Sequence, residues 1–161
     1  MTTGSVIKLP ILIIGVGNYF RGDDSAGLLI AQTLASKNMQ GVQAVEFDSD
    51  GTGLLDLWEG VGRVILVDAV SSGNKSGRTY RFEPLAKPLP SSFFSTSTHN
   101  FGVAEAIELA RALNCLPSRL VVFGVEGTNF KMGDPLSDEV ESALPYLIEQ
   151  ILDEVEKLKQ D

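Results

Sequence analysis

Three short runs in this chain are apolar at every position: Ile11-Leu12-Ile13-Ile14, Val64-Ile65-Leu66-Val67 and Leu120-Val121-Val122-Phe123. A strand that alternates apolar and polar residues covers one face of a sheet. A strand with no polar residue must be covered on both. These runs therefore read as central, parallel strands with helices packed above and below them.

The segments between them fit that plan. Val42 to Phe47 reads as a further strand. Thr79 to Phe82 alternates and has Arg78 and Arg81 beside or within it, which places it at a sheet edge. From Asp24 onward, Ala26, Leu29, Ile30 and Leu34 recur at helical spacing. Asp23, Asp24 and Ser25 are suitable N-caps for that helix. A short helix is expected around Leu54, Leu55, Leu57 and Trp58. A third starts near Thr98 or Asn100 and shares Val103, Ile107 and Ala110 on one face. Ser137 caps a last helix whose apolar residues run from Val140 to Val155, with Pro145 predicting a kink or restart. Its charged tail is expected to be solvated. Pro84 to Ser97, rich in Pro and Ser, reads as a long surface loop. The expected fold is α/β, three-layered: a mostly parallel, twisted five-stranded sheet with helices on both faces. One domain is expected, spanning residues 1–161.

Composition narrows the function. With 13 basic and 21 acidic residues the net charge is 13 − 21 = −8. That is the wrong sign for a general nucleic-acid binder and for an anionic membrane surface. No apolar run approaches the roughly 20 residues of a membrane span. Met1 to Pro10 does not read as a signal peptide. The single cysteine, Cys115, excludes an internal disulfide and a cysteine-based zinc site, and is expected to be a buried filler. A cytoplasmic location fits these features. No Gly-x-Ser-x-Gly elbow is present, which argues against a serine hydrolase.

In open α/β sheets, ligands bind beyond the carboxyl ends of the strands. After the first apolar run comes Gly17-Asn18-Tyr19-Phe20-Arg21-Gly22-Asp23-Asp24. After the second comes Asp68, and after the last comes Glu126. His99, the only histidine, opens a helix. Two carboxylates and an imidazole from three such loops form a mixed ligand set suited to nickel, zinc or iron. Each residue also has a plainer role. Asp23 and Asp24 can cap a helix, Asp68 can begin a turn, and His99 and Glu126 can be loop residues. A dinucleotide fingerprint would need glycine at position 20, where Phe20 stands. Two carboxylates at that helix start would also repel a pyrophosphate. The Walker A pattern is absent.

Gly15-Val16-Gly17-Asn18 followed by Gly22-Asp23-Asp24-Ser25-Ala26-Gly27 resembles the opening signature of hydrogenase maturation proteases. Leu66-Val67-Asp68-Ala69-Val70 resembles that family's second aspartate motif, and Ser97-Thr98-His99-Asn100-Phe101-Gly102 its histidine motif. Gly124-Val125-Glu126, with Gly133 and Leu136-Ser137, resembles its closing segment. Four motifs in order, from about Ile11 to Leu144, are far more specific than any one alone. The resemblance implies a five-stranded fold and an endopeptidase. It would remove the C-terminal extension of a nickel–iron hydrogenase large-subunit precursor after nickel insertion, activating the hydrogenase. It implies that Asp24, Asp68 and His99 contact the nickel and are the catalytic residues. The nickel is carried by the substrate, and no organic cofactor is implied. No nucleic acid or membrane insertion is expected, and the expected state is a monomer. Nickel can act as a Lewis acid or serve recognition only, with Asp24 and a water doing acid–base work. His99 must be neutral to ligate, so metal engagement weakens in acid.

Where many relatives have Asp-Gly-Gly-Thr, this chain has Asp48-Ser49-Asp50-Gly51-Thr52-Gly53, a loop expected to contribute to substrate choice. The loop from Pro84 to Thr98 is expected to act as an ordering clamp. Two other readings compete. The Gly-Val-Gly-Asn motif also resembles the start of peptidyl-tRNA hydrolases, although their histidine follows soon after it and a charge of −8 suits tRNA poorly. A non-catalytic metal or nucleotide binding module on the same fold is the other.

Overall fold

The computed structural model describes residues 10–94 and 101–161. Its sheet has the order β2-β1-β3-β5-β4. The strands are β1 (Ile11–Val16), β2 (Val42–Phe47), β3 (Arg63–Val70), β4 (Thr79–Phe82) and β5 (Arg119–Glu126). The pairs β1–β2, β1–β3 and β3–β5 are parallel, while β4 runs antiparallel to β5. The three all-apolar runs take the three central places, in register: Ile13 pairs with Ile65, and Ile65 with Val121. β4, expected at an edge, takes one edge, and β2 takes the other.

Alternation along the central strands feeds two cores. Leu12, Ile14, Val64, Leu66, Leu120 and Val122 pack with α2 (Thr52–Leu57) and α3 (Val103–Ala112), burying Leu54 and Ile107. Ile11, Ile13, Ile65, Val67, Val121 and Phe123 pack with α1 (Ala26–Ser36) and α4 (Asp138–Lys159), burying Ile30 and Ile151. Each fully buried aliphatic side chain is worth about 1.5–3 kcal/mol of transfer free energy, so both faces of the sheet contribute to stability. The three-layer α/β fold is as expected.

Several local expectations change. The first helix begins at Ala26, after a 3-10 turn over Gly22–Ser25, and neither Asp23 nor Asp24 caps it. β3 continues two residues past Asp68, and Glu126 is the last residue of β5 rather than a loop residue. The α4 helix is unbroken through Pro145; Glu141, whose carbonyl loses its partner, is exposed to water. The charged tail of α4 is exposed at Glu156, Lys157, Gln160 and Asp161, as expected, but Leu158 within it is fully buried and its carbonyl accepts a bond from Arg63. The described part of the Pro84–Ser97 segment is also partly core. Leu89 and Phe94 are buried, and the Phe93 carbonyl accepts from the Ser71 N–H at 2.9 Å. Phe93 and Phe94 pack edge-on against Phe82. Cys115 is exposed, not buried, because it lies beyond the end of α3 in the turn leading to β5. The expected helix start at Thr98 or Asn100 falls outside the described residues; α3 begins at Val103.

Candidate active site

The chain leaves β1 to build β2 on one side and, after α2, β3 on the other. Neighbouring connections therefore diverge at the carboxyl end of β1, the place where such sheets form a crevice. A small cleft lies there. Its walls come from the loop after β1 (Gly17, Asn18, Asp24), the loop after β2 (Asp48, Ser49, Gly51), Asp68 on β3, and Phe101 to Val103 at the start of α3.

Asp68 reaches the cleft because β1 stops first. The last β1–β3 pair is Gly15 with Val67, so Asp68 has a strand neighbour only on the β5 side, Gly124. Asp24 is brought in by the turn after β1. The Asn18 N–H donates to the Asp24 carbonyl at 3.1 Å, folding the loop back on itself. That closure passes Gly17, where any Cβ would collide with the same Asp24 carbonyl oxygen, so the glycine is required there by close approach. Arg21 Nη1 lies 3.2 Å from Asp24 Oδ2.

Both carboxylates are buried, at 5% exposure for Asp24 and 6% for Asp68. Burial holds the Asp68 carboxyl well above the usual 3.8, and the nearby Asp24 charge pushes it further in the same direction; a hydrogen bond with the Ala69 backbone opposes both. Two buried carboxylates sharing a cleft are poorly suited to holding a fold and well suited to meeting a cation or a proton.

His99 lies outside the described residues. Its near neighbours in sequence do not: Phe101 and Gly102 line the cleft beside Asp24 and Asp68. They are held there by Gly51, whose N–H donates to the Phe101 carbonyl at 2.9 Å. A Cβ on Gly51 would sit 2.6 Å from the Gly102 carbonyl oxygen, so the loop after β2 can approach this closely only with glycine. Among the described residues, no three of His, Cys, Asp and Glu form a metal-binding group. Among the described residues, no helix is long and apolar enough to cross a membrane.

Two other carboxylates singled out in the sequence do not line the cleft. Asp23, fully buried, accepts from the Thr128, Asn129 and Ser137 N–H groups at 2.9, 3.0 and 2.7 Å, and from the Ser137 hydroxyl at 3.0 Å. It orders the loop before α4 and the start of that helix, in place of capping α1. Glu126 accepts from the Ser72 N–H at 2.8 Å, the Ser72 hydroxyl and the Tyr80 hydroxyl at 2.8 Å, tying the loop after β3 to β4 and β5. No local signal separates Asp23 from Asp24; the donors to Asp23 lie more than a hundred residues away.

The family model for hydrogenase maturation proteases matches residues 30–154, a stretch that includes Asp68 and His99 and begins beyond Asp24. The chain belongs to the hydrogenase maturation protease family. A Methanocaldococcus jannaschii protein bearing that family's name is 30% identical over 159 residues, covering 93% of this chain and 99% of its own. The hydrogenase 2 maturation protease of Escherichia coli is 26% identical, with 89% of each chain covered. The solution structure of an Escherichia coli endopeptidase superposes with a TM-score of 0.77 at 26% identity, over 89% of this chain and 90% of that one. The Escherichia coli hydrogenase-maturating endopeptidase HybD shares the fold, with a TM-score of 0.78 at 23% identity over 92% and 93% of the two chains. As a maturation protease this chain is a hydrolase of the endopeptidase class, and neither a peptidyl-tRNA hydrolase nor a non-catalytic binding module is favoured.

Proposed function

We propose that this maturation protease removes the C-terminal extension of a nickel–iron hydrogenase large-subunit precursor, once nickel has been inserted. The supporting observation is the cleft at the carboxyl ends of β1 and β3, where Asp24 and Asp68 share one buried space beside the Phe101–Gly102 stretch that follows His99. In this reading Asp24, Asp68 and His99 contact nickel that arrives bound to the substrate. The nickel is part of the substrate, and no organic cofactor takes part.

The electrostatics support the order of events. Without a cation, Asp68 is held toward its protonated form by burial and by the Asp24 charge. A divalent cation between the two carboxylates would offset their repulsion and displace that proton, so engagement is coupled to proton release. A precursor lacking nickel would bring no such charge and would gain nothing from the two acids. Metal loading then gates cleavage because the metal is part of what docks.

The test is the intact mass of a large-subunit precursor from the same organism, incubated with the enzyme in nickel-loaded and nickel-free forms. Loss of a C-terminal peptide from the loaded form alone supports the reading. Equal cleavage of both forms removes the metal gate, and no cleavage of either overturns the proposed function.

A further inference from the structure

We propose that the Tyr19–Phe20 turn and Met132 form a docking surface for the body of the large-subunit precursor, beside the cleft and distinct from the residues that meet the metal. This rests on the function proposed above. Phe20 is 71% exposed, Met132 61% and Tyr19 44%. A single exposed apolar side chain needs no explanation. These three stand on two loops that the backbone joins into one unit. The Gly133 N–H donates to the Phe20 carbonyl at 2.7 Å, the Gly22 N–H to the Asp134 carbonyl at 3.1 Å, and the Asp23 N–H to the Asn129 carbonyl at 2.7 Å. The Asp23 carboxylate fixes the same second loop from below, and the Tyr19 hydroxyl is held by Glu46 on β2.

The patch is thus presented on ordered backbone, which lowers the entropy lost on binding. Its residue types, Tyr, Phe and Met, are among those enriched at the centres of protein interfaces. Methionine adapts to an uneven apolar partner. The occupant follows from continuity with the protease cleft. Asn18 and Asp24, at the two ends of this turn, both line the cleft. The turn between them is therefore continuous with the cleft wall, so a polypeptide held at Asp24 has this patch beside it. A second copy of this chain is a poorer occupant, since two chains of net charge −8 repel.

The experiment is steady-state cleavage of nickel-loaded precursor by the Phe20→Ser, Met132→Ser double variant. The expected result is a KM raised about tenfold or more, with kcat within about twofold of the parent. Met132→Ala alone, which removes only an exposed side chain, should raise KM by a smaller factor and guards against misfolding of the double variant. Leu113→Ser is the control: Leu113 is 61% exposed but lies at the far end of α3, away from the cleft, and its KM should be unchanged. An unchanged KM in both patch variants overturns the docking surface while leaving the protease function standing, provided the parent cleaves. A fall in kcat without a change in KM also overturns it, as does parent dimerisation that the double variant abolishes. Failure of the parent to cleave overturns the proposed function and this surface together.

Discussion

Asp23 and Asp24 are adjacent in the chain, both buried, and opposite in their surroundings. Asp23 accepts four hydrogen bonds from neutral donors on a distant loop and helix start. Asp24 borders the cleft and shares it with a second carboxylate, Asp68, whose pKa it helps to raise. Glu154 belongs with Asp23: it is 3% exposed, and Arg81 approaches its two oxygens at 2.7 and 3.2 Å, tying edge strand β4 to α4. The lesson is that burial alone does not mark a functional acid. Asp23 and Glu154 are tied to donors on distant elements, whereas Asp24, paired with Arg21 at 3.2 Å, also faces a second carboxylate, and that acid pair is the one the proposed function uses.

Substitutions can break that division at each member. The largest effect is expected at the cleft. Asp24→Asn and Asp68→Asn should each slow precursor cleavage by at least about a hundredfold, with the circular dichroism spectrum unchanged. Near-normal rates in both variants would end the functional side of the comparison. Next, Asp23→Ala leaves three backbone N–H groups and a hydroxyl without their acceptor, and should cost about 3 kcal/mol in denaturant unfolding. A loss below the error of that measurement would remove Asp23 from the structural side. Glu154→Gln should cost less, about 1–2 kcal/mol, because Arg81 is partly exposed and water can replace part of the lost interaction.

The smallest effect sharpens the comparison most, since its sign differs. The folded-state pKa of Asp68 lies above its unfolded value near 3.8. Between those two values the folded chain holds more protons than the unfolded one, so this group lowers stability as pH rises through that window. Asp68→Asn has no such titration. Its stability relative to the parent should therefore increase as pH rises above about 3.8 and level off above the folded-state pKa, as followed by thermal unfolding across pH. A relative stability that is flat or falls with pH would show that Asp68 is not held in an unfavourable charged environment. One substitution is thus expected to remove activity while adding stability at neutral pH.

Much of the architecture was legible in the chain. Apolar runs at Ile11–Ile14, Val64–Val67 and Leu120–Phe123 required burial on both faces, and the arginines around Thr79–Phe82 marked an edge. Local sequence misleads where a residue's environment is set from elsewhere. Cys115 was expected inside because its neighbours are apolar, yet it projects from the turn after α3. The serines and prolines of Pro84–Ser97 signal a surface loop, yet Phe94 within it is buried against Phe82 on a distant strand. Pro145 signalled a break, but its exposed position lets water satisfy the carbonyl it orphans.

The sequence by itself determined the order of strands and helices, because hydrophobic periodicity is a local property set by the pitch of each element. It also marked Asp68 as the first polar residue after the second apolar run and Asp24 as part of the polar stretch after the first. The tertiary structure decided which acids stand together. It shortened β1 relative to β3 so that Asp68 opens into the cleft, and it fitted Gly17 and Gly51 into contacts too close for a side chain. It also delivered Thr128, Asn129 and Ser137 to Asp23 and left Asp24 to the cleft. The physical reason is distance along the chain. The donors, charges and packing that decide what a buried carboxylate does come from segments far apart in sequence, and only the folded chain brings them within hydrogen-bonding range.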